Sequence, residues 1–273
     1  MIKTTKKPDA PRFSSQTISF LEKAKRQKRP DWLVRNRDEY EELLLLPLQE
    51  LAKKLKTELG TLASGYHFPQ KGIGRLKRPS HKAAEYGSLY KSYVSYTASR
   101  PSGSRFDHNP SLFFMIHPED KKDTVLIAGG LYMPSSRQTR SIREAIAEEN
   151  SLFARELDRL FKSKDFARQF PGGFSDERTA SRPPRGFDPN HPRMNWLKLQ
   201  GFFVWRSYPR KLFSSKEFTD HVVRDCRQIL RLNTLLEAAI QGRKPVVEAP
   251  KKPAKDLSDR LADVHAPVRP MDF

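Results

Sequence analysis

Cysteine is nearly absent from this chain of 273 residues: Cys226 stands alone, which excludes an internal disulfide. Its setting, HVVRDCRQIL, is that of a helix face, and a reduced, cytosolic-type environment fits it. Long hydrophobic runs are missing as well. The longest apolar burst, Leu43 to Leu46, stops at Pro47, far short of the roughly 18 to 20 apolar residues a spanning helix requires, so no membrane span is expected. The N-terminal MIKTTKKPDAPRFSSQ has a positive start without the apolar segment of a signal peptide behind it, and secretion by that route is not expected. Metal-ligand spacing is lacking too. His67, His81, His108, His117, His191, His221 and His265 are scattered, and none forms His-x-x-x-His or a Cys/His pair, so neither a metal nor a cofactor is expected. Glycine motifs are also wanting: GIG and AGGLY complete neither a dinucleotide fingerprint nor a phosphate loop, and no Gly-x-Ser-x-Gly elbow marks a nucleophile.

Positive charge is what the chain has in excess. The formal net charge is +19, which a fold does not need and a polyanionic partner would use. The excess is regional: residues 1–37 hold eleven Lys or Arg against Asp9, Glu22 and Asp31, and residues 71–105 hold eight against Glu85 alone. A third concentration lies between Arg168 and Lys211.

The hydrophobic period divides the chain into helix, sheet and helix. Ile18, Leu21 and Ala24 mark a first helix capped by Ser15, and Asp31 is placed to cap the next start. From Trp32, an apolar stripe through Tyr40, Leu43 or Leu44, Pro47, Leu48, Leu51, Leu55 and Leu59 predicts a long amphipathic helix, bent at Pro47 and ended by Gly60. SYVSYTAS, SLFFMIH and DTVLIAGGLY are short runs separated by turn-rich segments, as antiparallel strands would be, with Gly129 and Gly130 serving a bulge or close packing. Helical spacing returns through Ile142, Ile146, Phe153, Leu157 and Leu160, with Ser151 restarting the helix. KLQGFFVWRSY predicts another strand, and one or two helices close the chain by Ile240. Trp32, Trp196 and Trp205 are expected as core or loop anchors. The class is α+β: N-terminal helices, a central, mostly antiparallel sheet and C-terminal helices, forming a single domain over residues 14–241. A disordered basic arm, 1–13, and a disordered Pro- and Lys-rich tail, 242–273, are expected to flank it.

Three stretches occur in an order that resembles domain-of-unknown-function family 2461, from about Thr17 to Ile240: PDWLVRNRDEYEE, AGGLYMPSSRQTRSIREAIAEE and PPRGFDPNHPRMNWLKLQGFFV. The family's hallmark is Arg-x-x-Arg-Asp-x-Arg-Phe-x-x-x-Asp/Asn-Lys-x-x-Tyr, and GRLKRPSHKAAEYGSLYKSY aligns to it without a gap. Arg75, Arg78 and Tyr90 fall on its first Arg, second Arg and final Tyr, whereas Pro79, His81, Lys82, Tyr86 and Gly87 replace the other defined positions. The resemblance implies that chemistry needing a carboxylate at position 79 is absent, while anion contact through Arg75, Arg78 and Lys91 survives.

Two function classes stay open. The first is a binder of an anionic ligand, nucleic acid or phosphate, through a basic groove: Arg75, Arg78, Lys91, Arg137 and Arg143 supply guanidinium or ammonium groups and Tyr90 a stacking ring. Arg137 and Arg143 sit at the start of a predicted helix, where the dipole favours anions. The second is an enzyme of unknown reaction acting on a phosphorylated or carboxylated small molecule, with arginines as substrate clamps and a base not identified; His191 and Asp188 of the GFDPNHP loop suit acid-base work if they face a cleft, or else cap a turn. In the competing structural roles, the hallmark arginines dock a loop onto carboxylates of the first helices, and Arg143 pairs along its own helix with Glu144, Glu148 or Glu149.

Overall fold

Four strands make one antiparallel meander in the computed structural model, which describes residues 11–104, 106–118 and 123–244. They are β1 (Val94–Ser99), β2 (Ser111–Ile116), β3 (Asp123–Leu131) and β4 (Phe202–Pro209), in spatial order β1-β2-β3-β4. Before the sheet come α1 (Ser15–Lys25), α2 (Trp32–Arg35), α3 (Arg37–Tyr40), a π-helical turn (Glu41–Leu45), α4 (Leu46–Leu59) and α5 (Ser80–Tyr86). Between β3 and β4 lie α6 (Ser136–Ala147), α7 (Leu152–Lys162), α8 (Lys164–Gln169) and α9 (Met194–Leu197); α10 (Arg210–Phe213) and α11 (Phe218–Ile240) close the fold. The class is α+β, and the buried apolar side chains form one cluster running from Phe13 to Ala239. Among the described residues no helix is long and apolar enough to cross a membrane.

Because side chains alternate along a strand, one face of the sheet carries Tyr96, Leu112, Phe114, Ile127 and Val204, all buried under the helices. The other face carries Thr97, Phe113, Ala128 and Trp205, which stand in one row across the four strands. Helix α11 covers the first face and comes closest at β3. A Cβ on Gly129 would collide with the Ile229 side chain and lie 2.7 Å from the Ser111 carbonyl, so only glycine lets the helix approach so near. Gly130, next to it, has φ of +108° and sits against the Phe202 carbonyl, where a side chain would be strained and crowded. Asn233 of α11 fixes the contact further by donating from Nδ2 to the Ser111 carbonyl at 3.1 Å.

The N-terminal helices follow from a single missing donor. Pro47 has no N–H to bond the Leu43 carbonyl one turn back, and that carbonyl instead accepts the Thr17 hydroxyl at 2.8 Å, pinning α1 to the turn before α4. The irregularity is therefore the π-helical turn Glu41–Leu45, one turn earlier than the expected bend at Pro47. Two expected caps differ as well. Ser14, rather than Ser15, caps α1 in a reciprocal pair with Thr17, and the Asp31 side chain caps no α2 amide but pairs with Arg35 at 2.5 Å. Ser151 caps α7 as expected, accepting the Ala154 N–H at 3.0 Å, and the last helix is one continuous element.

The expected basic arm, residues 1–13, ends in the core: Phe13 is buried and stacks on Phe213 with ring centroids 5.2 Å apart. Residues 1–10 of that arm, and residues 245–273 of the expected tail, lie outside the described residues. Replacing Gly129 with Ala will force α11 off β3. The expected cost is about 1–3 kcal/mol of stability, read as a lower urea midpoint with an unchanged slope.

Candidate functional site

The hallmark segment folds back on itself. The Arg78 amide donates to the Leu89 carbonyl and the Lys91 amide to the Leu76 carbonyl, both at 2.9 Å, with α5 at the tip of the resulting hairpin. Tyr90 is fully buried: its hydroxyl lies 2.9 Å from the Pro30 carbonyl and 3.1 Å from that of Arg29, and its ring meets Trp32 edge-on at 5.4 Å. The Arg78 guanidinium covers the Tyr86 ring at 4.5 Å, and the Lys91 ammonium stands 5.4 Å from the Tyr93 ring. Arg75 is exposed.

The other sequence-derived candidates lie elsewhere. Arg137, near the start of α6, donates to the Asp107 carboxylate at 2.5 Å, and the Ser135 hydroxyl donates to the same group at 2.7 Å. Those two bonds, Arg137 first, hold the Asp107 carboxyl below its usual range. Arg143 donates to the Leu199 carbonyl at 3.0 Å, and burial lowers its guanidinium pKa. It thus ties α6 to the segment before β4 rather than pairing with the glutamates of its own helix. His191 closes a turn, its Nδ1 accepting the Arg193 amide at 3.1 Å. The hairpin group, the α6 pair and His191 are thus engaged with separate partners rather than with one another.

The sheet face that the helices leave uncovered is concave. A trough of about 550 Å³ is floored by Phe113, Leu126, Ala128, Gly129 and Gly130 and walled by Phe203, Trp205, Tyr132 and Glu177. Trp205 and Tyr132 are each 47% exposed. Their rings are held in place: Trp205 Nε1 donates to the Ser175 hydroxyl at 3.3 Å, Tyr132 meets Phe203 edge-on at 4.9 Å, and the Arg178 guanidinium lies 5.0 Å from the Tyr132 ring. Trp205 is therefore no core anchor. Its exposure was legible in FFVWRSY, because alternation puts Phe203, Trp205 and Ser207 on one face, opposite Val204 and Tyr208.

Ser111 and Tyr132 also line a second cavity of about 500 Å³ at the end of the trough. Around it stand His67, Ser99, Arg100, Asp107, His108 and Asn109. Arg100 is anchored from behind, its Nε donating to Glu237 at 2.9 Å, while Glu237 also accepts the Tyr66 hydroxyl at 3.0 Å. No group of three His, Cys, Asp or Glu side chains is placed to hold a metal among the described residues.

A separate polar cluster lies between β4 and α11, away from both cavities. The buried Asp225 carboxylate accepts the Tyr208 hydroxyl, with Arg206 Nε at 3.6 Å. Burial pushes the Asp225 carboxyl up to about 6, against the downward pull of Tyr208 and Arg206. Burial, with the Asp225 charge added, also raises the Tyr208 hydroxyl, so the phenol keeps its proton.

Comparison with known proteins places the sequence as follows. The model of a family described as Conserved hypothetical protein (DUF2461) matches residues 16–234, from α1 into α11. No curated protein and no solved structure matches the chain.

Two outcomes test the roles assigned to buried polar groups. Since the folded Asp225 binds its proton more tightly than the unfolded chain does, its contribution to stability is full below about pH 4 and is lost as pH rises through 6. The stability of Asp225→Asn relative to wild type should rise by up to roughly 3 kcal/mol between pH 4 and pH 7, measured by urea unfolding; a constant difference would contradict the assignment. Tyr90→Phe removes the hydroxyl that binds the hairpin to residues 29–33 and should cost about 1–2 kcal/mol in the same assay.

Proposed function

The chain belongs to the Conserved hypothetical protein (DUF2461) family, and for it we propose single-stranded nucleic-acid binding on the uncovered face of the sheet. The observation that carries the proposal is the trough itself, with Trp205, Phe113 and Tyr132 presented on one rigid surface in a chain of net charge +19. Flat aromatic faces on strands suit nucleobases of any sequence, at about 1–3 kcal/mol per stacked base, and a single strand can splay its bases where a duplex cannot. An apolar small molecule would use the same rings but would have no use for the charge.

In this proposal the bases lie over Phe113 and Trp205, and the backbone runs past Arg178 at one wall and toward Arg100 and Arg137 at the polar end. Arg137 is half committed to Asp107 and Arg100 to Glu237, so each offers its remaining donors. Arg75, Arg78 and Lys91 enter as phosphate contacts outside the trough, on the hairpin that Tyr90 holds down, and Arg143 and His191 shape the segment leading into β4. The reduced, buried Cys226 fits a cytoplasmic setting for such a protein.

Fluorescence anisotropy with labelled single-stranded oligonucleotides at about 150 mM salt tests the proposal. Trp205→Ala should weaken binding about 5- to 150-fold, the equivalent of one lost stacking contact, without lowering the urea midpoint. Log affinity should fall against log salt with a slope of about −2 to −4, as three to six phosphates engaged on a single strand would give. Full affinity in Trp205→Ala, combined with lost affinity in Arg75→Ala/Arg78→Ala, would move the site to the hairpin and overturn the trough.

A further inference from the structure

The polar end of the trough holds two histidines that the binding proposal does not use. His67 is joined to Ser99 by an isolated antiparallel bridge, its amide donating to the Ser99 carbonyl at 2.8 Å. Paired residues in an antiparallel ladder project to the same face, so His67 extends the row Ser99, Ser111, Gly130 and Phe203 by one place, at the outer edge of the uncovered face. His108 approaches from the loop between β1 and β2. Its backbone is gripped by the buried Gln138, whose Nε2 donates to the His108 carbonyl at 2.5 Å and whose Oε1 accepts the His108 amide at 3.4 Å. Both residues are exposed and both line the 500 Å³ cavity. Neither imidazole makes a hydrogen bond within the described residues, although the backbone of each is fixed.

Arg100 lines the same cavity, its guanidinium held by Glu237 and packed 5.4 Å from the Tyr66 ring, with its side chain 40% exposed. The neighbouring Asp107 carboxylate is claimed by Arg137 and Ser135. The charged groups facing the two imidazoles are thus Arg100 and Asp107, with Glu237 and Arg137 as their respective partners.

Resting on the binding proposal above, we propose that this cavity cleaves single-stranded RNA by transphosphorylation, with His67 and His108 as the general base and general acid. One imidazole takes the proton of the ribose 2′-hydroxyl. As the O2′–P bond forms, the P–O5′ bond breaks, and the other imidazole, protonated, delivers its proton to the departing O5′. Arg100 faces the non-bridging phosphoryl oxygens, where negative charge builds up. The products are a 2′,3′-cyclic phosphate and a 5′-hydroxyl, and water entering along the reverse path opens the ring and restores both protonation states. Imidazole suits the work because it is the side chain that can both accept and donate a proton near neutrality. The 2′-hydroxyl supplies the nucleophile, so the reaction discriminates RNA from DNA through chemistry rather than through affinity.

The test uses the full chain, in EDTA, with one single-stranded sequence made as RNA, as DNA and as 2′-O-methyl RNA. Binding is read by anisotropy and cleavage by gel and mass spectrometry. The expected result is that all three are bound and only RNA is cut, with cyclic phosphate ends formed first and 3′-phosphate ends appearing as water opens them, at a rate that is bell-shaped in pH. His67→Ala and His108→Ala should each slow cleavage by about 10²- to 10⁴-fold. Binding of all three without cleavage of RNA would overturn the inference and leave the binding proposal standing. Cleavage that survives in a His67→Ala/His108→Ala double variant would also overturn it, since the activity would belong to a copurifying nuclease. Failure to bind any of the three would remove the binding proposal and the inference with it.

Discussion

Helix α11 can lie directly on β3 only because Gly129 has no side chain there, and much of the molecule depends on that contact. The helix meets Gly129 through Ile229, and Asn233 bonds the Ser111 carbonyl on the adjacent strand. Held so close, α11 seals one face of the meander and carries Asp225 to Tyr208 and Glu237 to Arg100 at its two ends. Phe13, just before α1, Phe213 of α10 and Phe218 of α11 pack on one another on the same side, with Phe13 and Phe218 also against Phe114. With the helices gathered on one face, the other keeps its aromatic row open.

An uncovered apolar sheet face is costly to leave in water, at about 25 cal/mol for each Å² exposed, and exposed apolar patches of this kind mark interaction sites. The surroundings narrow what the partner is. Ser175 holds the Trp205 ring and Arg178 stands over Tyr132, so the rings are pre-set rather than collapsed. The trough then adjoins a cavity whose wall carries Arg100, its guanidinium paired with Glu237, and the Asp107 carboxylate. On the binding proposal, the apolar floor, the fixed rings and the cationic end would receive a base, its sugar and its phosphate in turn.

Most of the framework was legible in the sequence because its signals are local. Short β-branched or aromatic runs such as SLFFMIH and FFVWRSY mark strands, Ser151 caps its helix, and the glycine pair in AGGLY marks close packing. What could not be read is what depends on partners distant in the chain. Tyr90 looks like a stacking ring beside Arg75 and Arg78, yet its hydroxyl is spent on carbonyls some sixty residues earlier. Phe13 follows two prolines and a run of lysines, yet it fits a space made by Phe213 and Phe218. His67 and His108 have no motif spacing, and only the strand register at Ser99 and the grip of Gln138 bring them to one cavity. Trp205 is the instructive case, since its type suggested a core anchor whereas its place in the alternation put it outside.

The most direct measurement is photo-crosslinking of a single-stranded oligonucleotide carrying 5-iodouracil to the intact protein, followed by mass spectrometry of the adducted peptides. Adducts on Trp205, Phe113 or Tyr132 are the expected result, because the photoreactive base should lie against those rings. Adducts confined to the Gly74–Tyr93 hairpin, with none on the sheet, would contradict the account and return the site to the hallmark segment.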